Sequence, residues 1–239
     1  LRNAINENTA AVHYVVYEQK PTDPNVLTLE KVIEITHEMG KPVSVDAAGQ
    51  VYPLENFGKY VKMGADFQCI AAKYMGAPHS TGFALGTKEV IDAISRHSFV
   101  GYEGRRIRGI GRPQKIDRQE IMGVVAAVKR WLTLNHEDRL SFAESQSQAI
   151  LKPLKGIPGV RAELNTNIMG HQPFGAIVSL DPDIVGFTND DLVEKLRDGD
   201  PSIWARVSLD APQLELHVFG MGEGEPELVG NAIAALVKG

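Results

Sequence analysis

The stretch "PVSVDAAGQVYPLENFGKYVKMGADFQCIAAKYMGAPHSTGFALG", residues 42–86, decides the reading of this chain. It opens on a short β-branched run, "PVSVD" (42–46), of the kind a buried strand uses. "LENFGKYVKMG" (54–64) then carries the amphipathic spacing of a helix ending in glycine. "DFQCIAA" (66–72) and "GFALG" (82–86) read as two further strands. Strands alternating with helices at this spacing form βαβ units, hence a largely parallel sheet with successive strands pointing the same way. Two opposite charges, Asp46 and Lys73, both fall where a strand stops.

The same texture extends outward. Upstream, "AAVHYVVY" (10–17) is a strand and "PTDPN" (21–25) a turn cluster. "TLEKVIEITHEMG" (28–40) places Leu29, Val32, Ile33, Thr36 and Met39 on one helical face, with Gly40 as the C-cap. Downstream, "KEVIDAIS" (88–95) starts a helix. Around "YEGRRIRGIGRPQK" (102–115) periodicity gives way to glycine and arginine, which marks a domain boundary. A long helix over 117–134 is expected to continue past Asn135 toward Leu151. The remainder reads as strand, strand, helix, strand ("SIWARVSL"), strand, helix. The expected division is 1–112, a partial parallel-sheet large domain, and 113–239, a small C-terminal α+β domain. The opening "LRNAIN" resembles the tail of a helix, and with no initiator methionine the expectation is a fragment lacking the first part of the large domain.

Composition narrows the class. Of 239 residues 43% are hydrophobic and 23% charged, ordinary for a globular protein. A net charge of −5 gives no reason to expect a polyanion, so nucleic acid is not an expected partner. The single cysteine, Cys69, excludes an intrachain disulfide and reads as core rather than nucleophile. No apolar run reaches the ~20 residues of a bilayer-spanning helix. A cytoplasmic protein without membrane association is the expectation.

Ligands of open α/β sheets bind outside the carboxyl ends of the strands. Asp46 and Lys73 fall there, one crossover unit apart, so both could contact one bound ring. Pyridoxal 5'-phosphate asks for such a pair: an amine for a Schiff base with the aldehyde, and a carboxylate that keeps the pyridine nitrogen protonated. "DAAG" after the acid leaves room for a flat ring. A strand-end aspartate can equally cap a turn, and a strand-end lysine can simply be solvated. Spacing leaves both readings open.

A resemblance adds to it. Residues 42–94, with "GIGRPQKIDRQEIMGVVAAVKRWL" (109–132), resemble fold-type-I pyridoxal-phosphate enzymes, in particular the group related to bacterial selenocysteine synthase (L-seryl-tRNA selenium transferase). The shared pattern is an Asp-Ala-Ala stretch, a Gly-Ala-Asp strand entry, the Schiff-base lysine, and a turn into a strand. "APHSTG" (77–82) points toward the D-glucosaminate-6-phosphate ammonia-lyase-like members. The resemblance implies Lys73 as the Schiff-base lysine, Asp46 as pyridinium partner and Ala48 beside the ring. Ser80 and Thr81 would reach a phosphate in the neighbouring subunit. His79 departs from the commoner turn and either touches substrate or caps the turn. The implied activity is a lyase of ammonia-lyase or β-elimination type acting on an amino acid or amino-sugar acid, working as a homodimer or higher oligomer. A transferase and a non-catalytic scaffold are the alternatives. Selenocysteine synthesis on tRNA is disfavoured by the acidic balance.

Other charged groups are weighed the same way. Arg105, Arg106, Arg108, Arg112 and Lys115 crowd the glycine-rich connector. They form a solvated basic loop or, under the resemblance, place Arg112 where a guanidinium holds a substrate carboxylate or phosphate. Arg206 is a second carboxylate-binding candidate, or a strand arginine in a structural ion pair. "HVFGMGEGEPELV" (217–229) mimics a dinucleotide fingerprint, but Glu225 stands at its third position, so it reads as a turn into a helix. The seven histidines are scattered, and no metal site is expected.

Overall fold

The computed structural model describes residues 1–16, 25–105 (Arg105 by its backbone), 108–168 and 171–239. The turn cluster at 21–24 and Arg106 lie outside the described residues. The chain divides into two compact units, Leu1–Leu134 and Asn135–Gly239. They part later than the expected 112/113, because the helix after the connector packs on the first unit through Trp131 and Ala127.

The first unit begins with a 3-10 turn, Arg2–Ala4, followed by β1 (Val12–Val15), α1 (Leu29–Glu38) and β2 (Val43–Asp46). Thr28 caps α1 by accepting from the Lys31 amide, as a β-region threonine before an apolar helix does. Leu29, Val32, Ile33 and Thr36 are buried as the spacing predicts, but Met39 is 40% exposed and itself occupies the C-cap. Gly40 follows at φ +68°, the left-handed position that ends such a helix.

Between β2 and the next strand, the expected single helix is broken. A 3-10 turn (Leu54–Asn56) and the one-turn α2 (Lys59–Lys62) are separated by extended Phe57 and by Gly58 at φ +77°. A buried amide network holds the break. Gln68 donates to the Asn56 carbonyl at 2.9 Å and accepts from the Tyr60 amide at 3.3 Å. Straightening the helix would strip these buried partners.

β3 (Phe67–Ala71) runs parallel to β2, and β2 parallel to β1. After a 3-10 turn (Ala72–Met75), β4 (Gly82–Gly86) returns antiparallel to β3, against the expectation that successive strands of a largely parallel sheet point the same way. The connection, residues 72–81, is shorter than a parallel crossover requires. The sheet order is β1-β2-β3-β4, and Val15, Asp46, Cys69 and Ala84 form one register row across it. Helices α3 (Lys88–His97), α4 (Phe99–Arg105) and α5 (Arg118–Thr133) complete the unit.

The helix pattern over 117–151 is likewise two helices. α5 ends at extended Leu134, and α6 (His136–Leu151) starts from Asn135, whose side chain accepts from the Glu137 and Asp138 amides. An asparagine N-cap inside a helical pattern is a start signal, and here it overrides continuity.

In the second unit β5 (Val160–Asn165), β6 (Gly175–Leu180) and, later, β7 (Leu214–His217) form an antiparallel sheet in that order. Between β6 and β7 come α7 (Pro182–Val185) and α8 (Asn189–Arg197), and α9 (Glu225–Lys238) closes the chain. Ile150, Leu154, Val178, Leu192, Leu214 and Ile233 fill the core. The strand expected at "SIWARVSL" reduces to one bridge, Val207 with Leu214. Pro201 and Pro212 flank it without the amide a ladder needs, and Trp204 stands 82% exposed. At the start of α9, Glu225 accepts from the Gly222 amide at 2.7 Å, so the mimic of a dinucleotide loop is a turn closed by the carboxylate of the first helical residue.

Half-buried His217 ends β7, and desolvation lowers its pKa from 6.5, with Glu215 opposing and Arg206 assisting. The unfolded chain therefore binds the proton more readily than the folded one. Stability is retained above the unfolded pKa and falls as pH drops from about 6.5 toward the folded value. Thermal melts at about pH 7.5 and about pH 5.5 should show a larger loss for the wild type than for His217→Gln. Equal losses would mean that this histidine does not titrate with unfolding.

Candidate active site

Asp46 closes β2, its backbone pinned between buried Val45 and Ala47. Its Oδ1 accepts from the Ala48 amide at 3.0 Å and from Cys69 Sγ at 3.5 Å. No described residue donates to Oδ2. Cys69 is thus a partner of the acid and half-buried, where the sequence suggested a core residue. Burial pushes its thiol pKa up, the Ala47 backbone works against this, and the Asp46 charge adds to it. The thiol stays protonated and donates.

The two strand ends are tied together. The Ala71 amide donates to the Ala48 carbonyl at 3.1 Å, joining the turn after β2 to the end of β3. Lys73 follows two residues on, in the 3-10 turn between fully buried Ala72 and Met75. It is half-buried, with Nζ 5.2 Å from the Tyr74 ring centroid, and makes no hydrogen bond or ion pair among the described residues. Asp46 and Lys73 leave neighbouring parallel strands at the same sheet edge. From Cys69, the register partner of Asp46, to Lys73 the chain spans at most about 14 Å at full extension, and the 3-10 turn shortens that.

The other sequence candidates lie as follows. Gly76 at φ +88° turns the chain after Lys73 into the segment 77–81. His79 and Ser80 are exposed there, and Ser80 Oγ donates to Glu120 at 3.1 Å. Thr81 is 5% exposed, and its hydroxyl donates to the Pro78 carbonyl at 2.6 Å, which commits that proton to its own turn. Arg112 stacks 4.5 Å from the Tyr102 ring centroid, with Glu103 3.7 Å away. Arg206 is exposed in the second unit and lies on no strand. The structure therefore gathers Asp46, Ala48, Cys69 and Lys73 at one edge.

The residues present fit the cofactor that the sequence suggested. Asp46 offers an oxygen to which no described residue donates, as a ring N–H requires. Lys73 offers an amine that no carboxylate of the described residues holds, and Ala47, Ala48 and Gly49 carry no bulk. An open cleft of about 550 Å³ lined by His37, Lys41, Asp66 and Glu89 lies instead at the amino ends of β2 and β3, away from this pair. Among the described residues no cluster of histidine, cysteine and acidic side chains could hold a metal, and no helix is long and apolar enough to cross a membrane.

This fold is that of the pyridoxal-phosphate-dependent enzymes of fold type I. Within it, the chain is related to the group that contains D-glucosaminate-6-phosphate ammonia lyase. It is 27% identical to that protein from Salmonella typhimurium, over 99% of this chain and 58% of the relative. It is 28% identical to a 5'-C-glycyluridine monooxygenase-decarboxylase from Streptomyces sp, over 95% of this chain and 54% of the relative. A solved structure of D-glucosaminate-6-phosphate ammonia-lyase superposes with a TM-score of 0.71 at 24% identity, covering 100% of this chain and 60% of the other. The chain spans somewhat over half the length of these curated relatives. No family model matches it.

Proposed function

We propose that this chain forms part of a pyridoxal-phosphate-dependent lyase, of ammonia-lyase or β-elimination type, acting on an amino acid or amino-sugar acid. The observation that carries the reading is the pair Lys73 Nζ and Asp46 Oδ2, neither hydrogen-bonded nor ion-paired among the described residues, at one edge of a fold-type-I sheet. Two relatives with enzymatic names support it.

Lys73 would hold the cofactor through its amine, and as a free amine it would take the proton from the substrate α-carbon. When bound, the cofactor supplies an electron sink for the pair left by that proton. Asp46 would hold the ring nitrogen of the cofactor through its second carboxylate oxygen, while the Ala48 amide and Cys69 keep its Oδ1 occupied. Ala48 bounds the ring, and Ser80 and Thr81 belong to the turn assigned to a phosphate. Arg112, already oriented by Tyr102, pairs with a substrate carboxylate or phosphate; Arg206 and His79 are the further substrate contacts of this reading. The working form is a homodimer or higher oligomer, a reading supported by exposed Val100, Ile110 and Met122 on the first unit. A cytoplasmic location belongs to the same reading, supported by the single cysteine.

The test is direct. Protein supplied with pyridoxal phosphate should turn yellow, and borohydride should fix the cofactor to the peptide bearing Lys73. Amino acids and amino-sugar acids should then yield a keto acid with ammonia. A colourless protein with no reducible adduct would leave only the scaffold alternative. Amino exchange in place of ammonia release would favour a transferase. Oxygen uptake coupled to carbon dioxide release would move the chain toward its Streptomyces relative.

A further inference from the structure

We infer that α5 splints the candidate site, with Arg130 and Trp131 as positioning residues that hold the Asp46 turn and the Lys73 turn in fixed relation. The inference rests on the reading of Asp46 and Lys73 as the cofactor-holding pair.

α5 runs along the segment that follows Lys73. Near its start Glu120 receives the Ser80 hydroxyl at 3.1 Å. Farther along, Gly123 passes so close to Pro78 that a Cβ would stand 2.8 Å from the ring. Near its end Arg130 Nη2 donates to the Met75 carbonyl at 3.1 Å. The next residue reaches the other turn: Trp131, 3% exposed, donates its indole N–H to the Val51 carbonyl at 2.7 Å. Met75 lies two residues after Lys73, and Val51 five after Asp46. Adjacent residues of one helix therefore grip one carbonyl from each turn.

The grip is dry on the tryptophan side. Trp131 packs in a cluster with Val51, Ile70, Ala72 and Met75, none more than 2% exposed. A buried carbonyl that loses its donor has no water to replace it, so it must move or stay unbonded. Either turn moving alone would also strain the Ala71–Ala48 backbone bond that joins them. Loosening one grip should thus be felt in both turns.

Amide hydrogen exchange on the protein without added cofactor tests this coupling. In Trp131→Phe, exchange should quicken about tenfold at Gln50 and, although Trp131 bonds only the other turn, also at Gly76 and Ala77. In Arg130→Met the reverse holds: quickening at Gly76 and Ala77 should extend to Gln50. Arg130→Lys keeps a donor and should recover most of the protection, and Lys129→Ala, on the exposed side, should change nothing. In protein loaded with pyridoxal phosphate, Trp131→Phe and Arg130→Met should shift the pH midpoint of the visible band by about half a unit. Exchange that quickens only in the turn each side chain touches overturns the splint, as does an unmoved midpoint in variants that load the cofactor. If the wild type forms no borohydride-stable adduct at Lys73, the functional reading fails, and exchange alone still judges the coupling.

Discussion

Lys73→Ala is expected to abolish both the borohydride-trapped adduct and product formation, with little loss of stability. Among the described residues the side chain makes no hydrogen bond or ion pair, and its cation–π contact with the Tyr74 ring is worth about 0.5–1 kcal/mol at a partly exposed site. The turn around it stands on Ala72 and Met75, which the substitution leaves in place. Removing a positioned base by itself slows proton transfer by roughly 10²- to 10⁴-fold, and loss of the covalent anchor for the cofactor adds to that. Lys73→Arg separates chemistry from charge. It retains a cation over Tyr74 but no amine able to condense with an aldehyde, so it should be as inactive as the alanine variant. Circular dichroism and the thermal midpoint should match the wild type in both. A Lys73→Ala protein that still traps cofactor and releases product would remove this residue from the chemistry.

How far the sequence could be read follows from the range of the interactions. β1, α1, β2 and β3 were legible because each is decided by local periodicity; Leu29, Val32 and Ile33 of α1 and Val43 and Val45 of β2 are buried, while Val15 of β1 stands 44% exposed and polar Gln68 is buried in β3. Asp46 and Lys73 were legible for a second reason: parallel strands bring their carboxyl ends to one edge whatever the side chains do. Three features depended on something else. β4 turns back because residues 72–81 cannot span a crossover, a matter of length rather than pattern. The helix over 54–64 breaks because Gln68, in a strand, holds the Asn56 carbonyl. The helix pattern over 117–151 divides because the Asn135 side chain bonds the amides that open α6, outweighing an unbroken apolar rhythm.

The site shows the same division. The roles of Ala48 and Lys73 could be framed from motif and position, but the contact of Cys69 with Asp46 exists only through the strand register that pairs them. A period-2 reading of "DFQCIAA" puts Cys69 on the opposite face from buried Gln68 and Ile70, and that was the available hint. Arg130 and Trp131 reach carbonyls 55 and 80 residues away, and nothing in a helical stretch announces such partners. Thr81 illustrates the converse. Its motif position suggests a phosphate contact, while its own turn already uses the hydroxyl proton.

Asp46→Asn should separate the electronic role of the carboxylate from its structural one. The amide oxygen can still accept from the Ala48 amide and from Cys69, so the turn after β2 keeps its anchor and the melting temperature should stay near that of the wild type. The other carboxylate oxygen becomes an N–H₂ that donates where the ring N–H must also donate. A hydrogen bond to a charged group contributes about 1.5–3 kcal/mol, so kcat/KM should fall roughly 10- to 100-fold, and the visible band of bound cofactor should change its pH dependence. Asp46→Ala removes the anchor as well and should destabilise by about 0.5–1.5 kcal/mol beyond the asparagine variant. If the asparagine variant kept full kcat/KM and an unaltered spectrum, the acid would be only the cap of its own turn, and the edge shared with Lys73 would lose its meaning as a cofactor cradle.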